Sequence, residues 1–290
     1  MGERQDIERR LRTLSDVGDI MAALKNAAIV EATRLRKLVP AQQRVVRTVK
    51  HATEDFLSHY PQPWEMPPGA PEVVLLLGSE RGFCGDYNDA VISAYVRRVP
   101  RTQSAPLIVA VGRRLATRLG ETAKPAAVLE APSVAEEVHG AITRLVAALE
   151  NLPVPQGALL LPALSVFAHE VVGHASEVRE TCPFRALSGE ERRFAEPPRL
   201  YLDPFTLFRE LTDHYLFAIL HELFYSALLA ENERRLQHLE GALHRIDRKR
   251  EELTLRRYAL RQEEITEEIE IILLSAGPNI VESEPSDGPQ

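Results

Sequence analysis

Apolar residues recur at two different spacings along this chain, and the change of spacing divides it into three stretches. From Gln5 to Val39 they fall three and four positions apart, through Leu14, Val17, Met21, Leu24, Ala28, Leu35 and Leu38, with Glu31 as a charge inside the row. That is the seam of a coiled-coil helix. Ala22, Ala23, Ala27 and Ala28 let a partner helix approach closely, and Pro40 either starts a new segment or kinks the helix without ending it. From Phe205 to Ala276 there is no proline and a single glycine, Gly241. About seventy residues can therefore run as one helix or two nearly collinear ones, on the order of 100 Å at the α-helical rise. The second seam is Leu236, Leu239, Leu243, Ile246, Arg250, Leu253, Arg257 and Leu260. An antiparallel pair of the two arms is expected, with Glu31 offsetting the seam arginines. Rods of this length suit a shaft, lever or spacer.

Between the arms the period changes. A connector carrying Pro61, Pro63, Pro67, Pro68, Gly69 and Pro71 leads into Glu72–Gly78, a short β-branched and leucine run that predicts a fully buried strand. A helix is expected over Asp89–Val99 and strands over Pro106–Val111, Ala126–Leu129 and Ala158–Leu161. The spacing from Val134 to Leu149 is helical. Ser165–Val172 is expected as a strand paired with Glu177–Pro183. Strand and helix alternate, so the fold class is α/β: a mostly parallel, Rossmann-like layer joined to a long antiparallel coiled coil. The expected divisions are 1–60 for the first helix, 72–200 for the α/β domain, 205–277 for the last helix, and 278–290 for a disordered acidic tail.

Composition narrows the function classes. In 290 residues, 44% hydrophobic and 27% charged content is ordinary for a globular chain, and the formal charge of -7 argues against a dedicated nucleic-acid binder. Basic residues gather in the first arm, among them Arg9, Arg10, Arg12, Arg34, Arg36 and Lys37. The polar start has no secretory signal, and no apolar run reaches the roughly twenty residues of a bilayer span. Cys84 and Cys182 have no ligand spacing around them, so a reducing compartment, and no direct lipid insertion, is the expectation.

Three motifs invite chemistry. Gly78, Gly82 and Gly85 follow a strand and precede a helix, but match neither a dinucleotide loop nor a P-loop; a tight turn that needs glycine is favoured. His169 and His174 are five apart, which rotates the second about 140° from the first on a helix, so the zinc-protease pattern fails. A strand and turn with surface histidines is the simpler expectation. Ser165 and Ser188 have no surroundings of a nucleophile. No catalytic constellation, metal set or cofactor motif is found. In Leu253–Ile269, Arg261, Glu264, Ile265 and Glu268 lie on nearby faces; this is either a solvated, charge-laced helix or a grip, Arg261 and Gln262 offering a fork donor and an amide to a partner's carboxylates and carbonyls.

Taken together these pieces resemble the γ subunit of F-type ATP synthases. The run Ile20-Met21-Ala22-Ala23-Leu24-Lys25 is similar to that family's Ile-Thr-x-Ala-Met-Lys core. Ser79–Asn88 is similar to its Ser-Asp-Arg-Gly-Leu-Cys-Gly-x-x-Asn loop. Ala230-Glu231 with Arg235 resembles its Ser-Glu-x-x-x-Arg helix start, and Arg261-Gln262-x-x-Ile265-Thr266-x-Glu268 its Arg-Gln-x-x-Ile-Thr-x-Glu signature. The match covers the two arms and the first strand-loop unit, about half the chain, and elsewhere only the order of elements.

The resemblance implies a non-catalytic rotor stalk, one copy per complex, turning inside a ring of α and β subunits on the cytoplasmic face of a bacterial plasma membrane. An ε-type subunit and a membrane c-ring are the other implied partners. It implies that Leu24, Lys25, Arg261, Gln262, Thr266 and Glu268 meet the α/β ring. The loop of Arg81, Gly82, Cys84 and Gly85 would lie near a β subunit, and Leu14, Met21, Ala28, Leu239, Leu243 and Ile246 would pair the helices. The chain departs from the family at Met21, Leu24, Glu31, Tyr258 and Ile271 and in the residues after Gly277, which suggests a divergent branch pumping Na⁺ or H⁺. The remaining alternatives are a coiled-coil adaptor with an α/β head, and a nucleotide-binding enzyme using Gly78–Gly85.

Overall fold

A computed structural model describes residues 2–60, 72–98, 106–152, 164–172, 175–187 and 196–276. The expected strand at 158–161, His174, Ser188, the proline connector and the 278–290 tail lie outside these residues. Two helices hold the ends of the chain, α1 (Gly2–His59) and α5 (Pro204–Ala276). Between them come β1 (Val73–Leu77), α2 (Tyr87–Arg98), β2 (Leu107–Val111), α3 (Arg113–Leu119), β3 (Ala127–Leu129), α4 (Val138–Glu150), β4 (Leu164–Val172) and β5 (Ala175–Thr181). The chain divides into two compact units, Met1–Leu24 with Glu240–Gln290, and Lys25–Leu239.

In the larger unit the strands lie in the order β3-β2-β1-β4-β5. β1 pairs in parallel with β2 and β4, β2 with β3, and β5 closes one edge antiparallel to β4. Central β1 is buried on both faces, which is why it reads as an unbroken apolar run. Its residues alternate between two cores. Val74 and Leu76 pack with Val91 and Tyr95 of α2 and Leu115 and Leu119 of α3. Val73, Leu75 and Leu77 share the other core with Leu35 of α1, Ile142 and Leu145 of α4, and Leu220, Phe224 and Leu228 of α5.

Both helix pairings are antiparallel. In the larger unit Gln42 donates to the Ala218 carbonyl at 2.9 Å, and Phe56 stacks on Phe208 at 6.2 Å. In the smaller unit Arg4 pairs with Glu264 at 2.9 Å, and the Gly18 backbone faces Ile246. Of the named pairing residues, Ala28 and Leu239 are buried, and Leu14, Met21, Leu243 and Ile246 are half-buried.

Helix α1 continues through Pro40 to His59, with Pro40 on the exposed side. Three other readings change. Glu31 does not offset the seam arginines: buried, it accepts the Ala135 N–H at 2.7 Å, tying α1 to the turn that precedes α4. Arg250 and Arg257 instead join Arg12 and Glu8 along a groove of about 350 Å³ in the smaller unit. Helix α3 went unread because three arginines crowd its seven residues and only Leu115 and Leu119, four apart and both buried, mark its inner face. Finally, α2 begins at Tyr87, two residues earlier than its apolar spacing indicates.

Two glycines separate close packing from free space. A Cβ on Gly78 would lie 2.3 Å from the Leu115 Cβ and 2.8 Å from Asn88 Oδ1, whereas one on Gly120 would meet nothing nearer than 3.5 Å. Gly120 also has a helical φ of -55. Gly78→Ala is expected to lower unfolding free energy by about 3 kcal/mol, and Gly120→Ala to raise it by about 0.5 kcal/mol. Urea midpoints of the two variants check both signs.

Candidate functional site

The strongest concentration of buried polar groups lies where the β1–α2 loop meets α5. Gly78 leaves the sheet, and the next residues turn back sharply: Phe83 and Gly85 both take left-handed φ, 64 and 62. Gly85 adopts this at no steric cost; Phe83 does not, yet it stands half exposed. The turn is fastened from within. Asn88 accepts the Ser79 N–H at 2.9 Å and donates to Ser79 Oγ at 2.8 Å, and Ser79 Oγ meets Cys84 Sγ at 3.3 Å. Burial pushes the Cys84 thiol up, so it stays a neutral packing group.

From the other side α5 grips the loop. Arg235 donates through Nε to the Gly82 carbonyl at 3.3 Å and through a terminal nitrogen to Asn232 Oδ1 at 3.2 Å; its other terminal nitrogen pairs with buried Glu231. Arg234 reaches Asp86 at 3.3 Å and Ser176 Oγ at 3.1 Å. Fully buried Tyr87 donates its hydroxyl to the Ala227 carbonyl at 2.9 Å. Of the four loop residues singled out from sequence, Arg81 and Gly85 face solvent, Gly82 is half-buried, and Cys84 is buried against Ala230.

His169 supports this joint from the sheet. It is 1% exposed, not a surface histidine, and its ring stacks on Tyr87 with centroids 4.0 Å apart. Burial had no sequence signal, because a histidine in a strand pattern fits either face. Its Nε2 lies 2.9 Å from the Tyr87 carbonyl oxygen, so Nε2 carries the hydrogen and donates. Among the described residues Nδ1 has no hydrogen-bond partner. A second proton there would be a buried, unpaired donor; burial accordingly holds this imidazole below its usual range.

Glu80 weighs against the nucleotide reading. The loops after β1, β2 and β3 frame a cleft of about 500 Å³, the place where an α/β layer takes a phosphate. The backbone N–H groups there are already satisfied: those of Arg113 and Ala131 both donate to Glu80 Oε2 at 3.1 Å. Burial opposes ionisation of Glu80, but the Arg113 side chain and these two amides outweigh it and hold the carboxyl below the usual range. The chain supplies its own anion. No group of three or more histidine, cysteine or acidic side chains able to hold a metal occurs among the described residues.

On the arms, Leu24 and Lys25 are half-buried, while Arg261, Gln262, Thr266 and Glu268 are exposed along α5. Arg261 and Gln262 make no side-chain hydrogen bond or ion pair among the described residues, whereas Glu264 between them and Glu268 is held by Arg4. The Arg261–Glu268 string thus belongs to the smaller unit and the loop joint to the larger one.

A family model described as ATP synthase matches residues 3–276. The chain belongs to the ATP synthase γ-chain family. The ATP synthase γ chain of Caldanaerobacter subterraneus subsp. tengcongensis is 25% identical over 304 residues, covering 95% of this chain and 99% of that protein. The fold is shared with solved stalks at 12% identity. In the rotor of the Euglena gracilis mitochondrial ATP synthase the TM-score is 0.62, over 91% of this chain and 99% of that one. In the OSCP/F1/c-ring structure of the same enzyme it is 0.65, over 98% and 99%. In the central stalk/c-ring structure of the Tetrahymena thermophila mitochondrial ATP synthase it is 0.52, over 77% and 99%. This γ chain is therefore a central-stalk subunit of a membrane-associated complex. None of its described helices is long and apolar enough to cross a membrane.

His169 gives the joint a pH dependence with a definite sign. Its pKa is depressed in the fold relative to the unfolded value of about 6.5. The unfolded γ chain therefore binds the proton more readily, and stability present above that value is lost as pH falls below it. The urea midpoint of the wild type should drop between pH 7.5 and pH 5.5 (about two units spanning that pKa) more steeply than that of His169→Phe, which keeps the stacking on Tyr87. Equal slopes in the two proteins would remove His169 as the cause.

Proposed function

We propose that this chain is the rotating, non-catalytic shaft of the F1 part of an F-type ATP synthase, present in one copy and coupling ion flow through a membrane ring to ATP synthesis or hydrolysis on α and β subunits. The observation that carries the reading is the antiparallel pairing of the two chain ends, fixed by Arg4–Glu264 and Glu3–Arg256, with the Arg261–Glu268 string left facing outward beside it. Such a pair is a two-stranded rod, on which Arg261 and Gln262 have no side-chain partner among the described residues.

Exposure along α5 supports a sleeve around that rod. Ile265, Ile269, Ile271, Ile272, Leu273 and Leu274 are between 46% and 81% exposed. Six large apolar side chains in ten residues form a surface that a solitary globular protein rarely leaves uncovered. In our reading Arg261, Gln262, Thr266 and Glu268 grip the α/β ring together with Leu24 and Lys25. The loop of Arg81, Gly82, Cys84 and Gly85 faces a β subunit through Arg81 and Gly85, with Cys84 holding it from behind. An ε-type subunit and a c-ring complete the partners, at the cytoplasmic face of a bacterial plasma membrane.

The test uses the assembled complex. Arg261→Ala with Gln262→Ala should lower its ATPase rate at least threefold, since each lost charge-assisted or amide contact is worth about 1 kcal/mol. The unfolding midpoint of the isolated chain should not move, because both side chains are exposed. An unchanged ATPase rate, or a wild-type chain that does not co-purify with α and β subunits at one to three, would return the chain to the adaptor reading.

A further inference from the structure

We propose that Arg235 is a positioning residue that locks the rotation of α5 relative to the α/β layer, so that this stretch of α5 and the layer turn as one body; this rests on the stalk reading above. Most of the packing between α5 and the sheet is apolar, through Leu220, Phe224 and Leu228. Apolar contact resists separation, but it is non-directional and gives way more easily to shear along or about a helix axis. A shaft under torque loads its joint in that direction. What resists shear is a bonded contact with a fixed angle.

Such contacts cluster on one stretch of α5. Between Ala227 and Arg235 it accepts the Tyr87 hydroxyl, reaches Asp86 and Ser176 through Arg234, and reaches the Gly82 carbonyl through Arg235. Among these Arg235 is distinctive in being a buried cation, with an 11% exposed side chain, and in using three nitrogens on three acceptors. Two of the acceptors, Glu231 and Asn232, lie on its own helix and hold the planar guanidinium in one orientation. The third lies on the loop. Its target is a backbone carbonyl next to Phe83, which is held in a left-handed conformation, so the loop cannot slide without giving up that geometry.

Burial pushes the Glu231 carboxyl up, and Arg235 opposes that shift. A buried ion pair of this kind is weak evidence for stability, because replacing both partners with uncharged groups of similar volume is often neutral. The pair is therefore better explained by the orientation it imposes than by the energy it adds. The same argument supplies the experiment.

The double variant Glu231→Gln with Arg235→Met removes both charges at nearly constant volume. Its unfolding midpoint should stay close to wild type, whereas Arg235→Met alone, which leaves Glu231 buried and unpaired, should be clearly less stable. In the assembled complex, a bead fixed to an exposed residue of α2 reports angular fluctuation of the head while the α/β ring is paused. The double variant should show at least a twofold larger angular variance, and Arg235→Lys, which keeps the charge without the fork, a smaller increase. Amide hydrogens of residues 82–85 should exchange at least tenfold faster in the double variant. A stable double variant with wild-type variance and exchange overturns the proposal, and so does a double variant too unstable to assemble, since the pair would then be a folding determinant. A wild-type complex in which the bead never rotates overturns the stalk reading itself.

Discussion

Tyr87 is the point on which three parts of the larger unit converge. Its ring lies against His169 of β4, its hydroxyl donates to Ala227 of α5, and its backbone opens α2 directly after the turn that follows β1. An aromatic side chain removed from water contributes on the order of 2 kcal/mol, but its hydroxyl then needs a partner in the interior. Here that partner is a helical carbonyl, so the same group that stabilises the core also specifies which turn of α5 sits beneath the loop. The Ser79–Asn88–Cys84 contacts and the Arg235 fork extend this one constraint to the neighbouring residues.

The rest of the α/β layer frames a cleft that the chain lines with its own carboxylate, Glu80. Its topology matches what in other proteins delivers a ligand to the carboxyl ends of parallel strands. In this chain those ends are closed by Glu80, which takes the amides of Arg113 and Ala131 and pairs with the Arg113 side chain. Three loops that would otherwise have to be ordered by a ligand are ordered by a carboxylate of the chain itself. A layer fastened this way ties three loops together through the chain's own groups.

Elements were legible from sequence where a single physical demand governed many adjacent residues. β1 must be apolar on both faces, and the arms must keep an apolar seam for tens of residues, so both announce themselves. The family strings Ser79–Asn88 and Arg261–Glu268 were legible for a different reason: each carries residue types that local structure alone does not need. Illegible were features decided by one contact across the fold. Glu31 looked like a charge to be neutralised on the opposite arm, but its partner is a backbone amide 104 positions away. His169 looked like a surface residue because nothing local reveals that Tyr87 covers it. The register of the arms was also invisible, since a seam with a regular repeat fits its partner at several offsets until Arg4–Glu264 and Arg36–Glu233 select one in each unit.

The chain's departures from the family sort by where they fall. Met21 lies half-buried in the seam and Glu31 is buried with a backbone partner, so both are absorbed by contacts inside the chain. Tyr258 and Ile271 are 56% and 66% exposed on α5. A substitution of the first kind can be compensated within one gene, because every atom it disturbs belongs to the same fold. One of the second kind changes the surface a partner meets, and in a shaft that turns, it changes that surface for each subunit in succession. Ile271 continues directly into Ile272, Leu273 and Leu274, so this departure adds to an exposed apolar run that begins after Glu270. Such a run favours a covering partner through apolar burial rather than through a fixed charge contact.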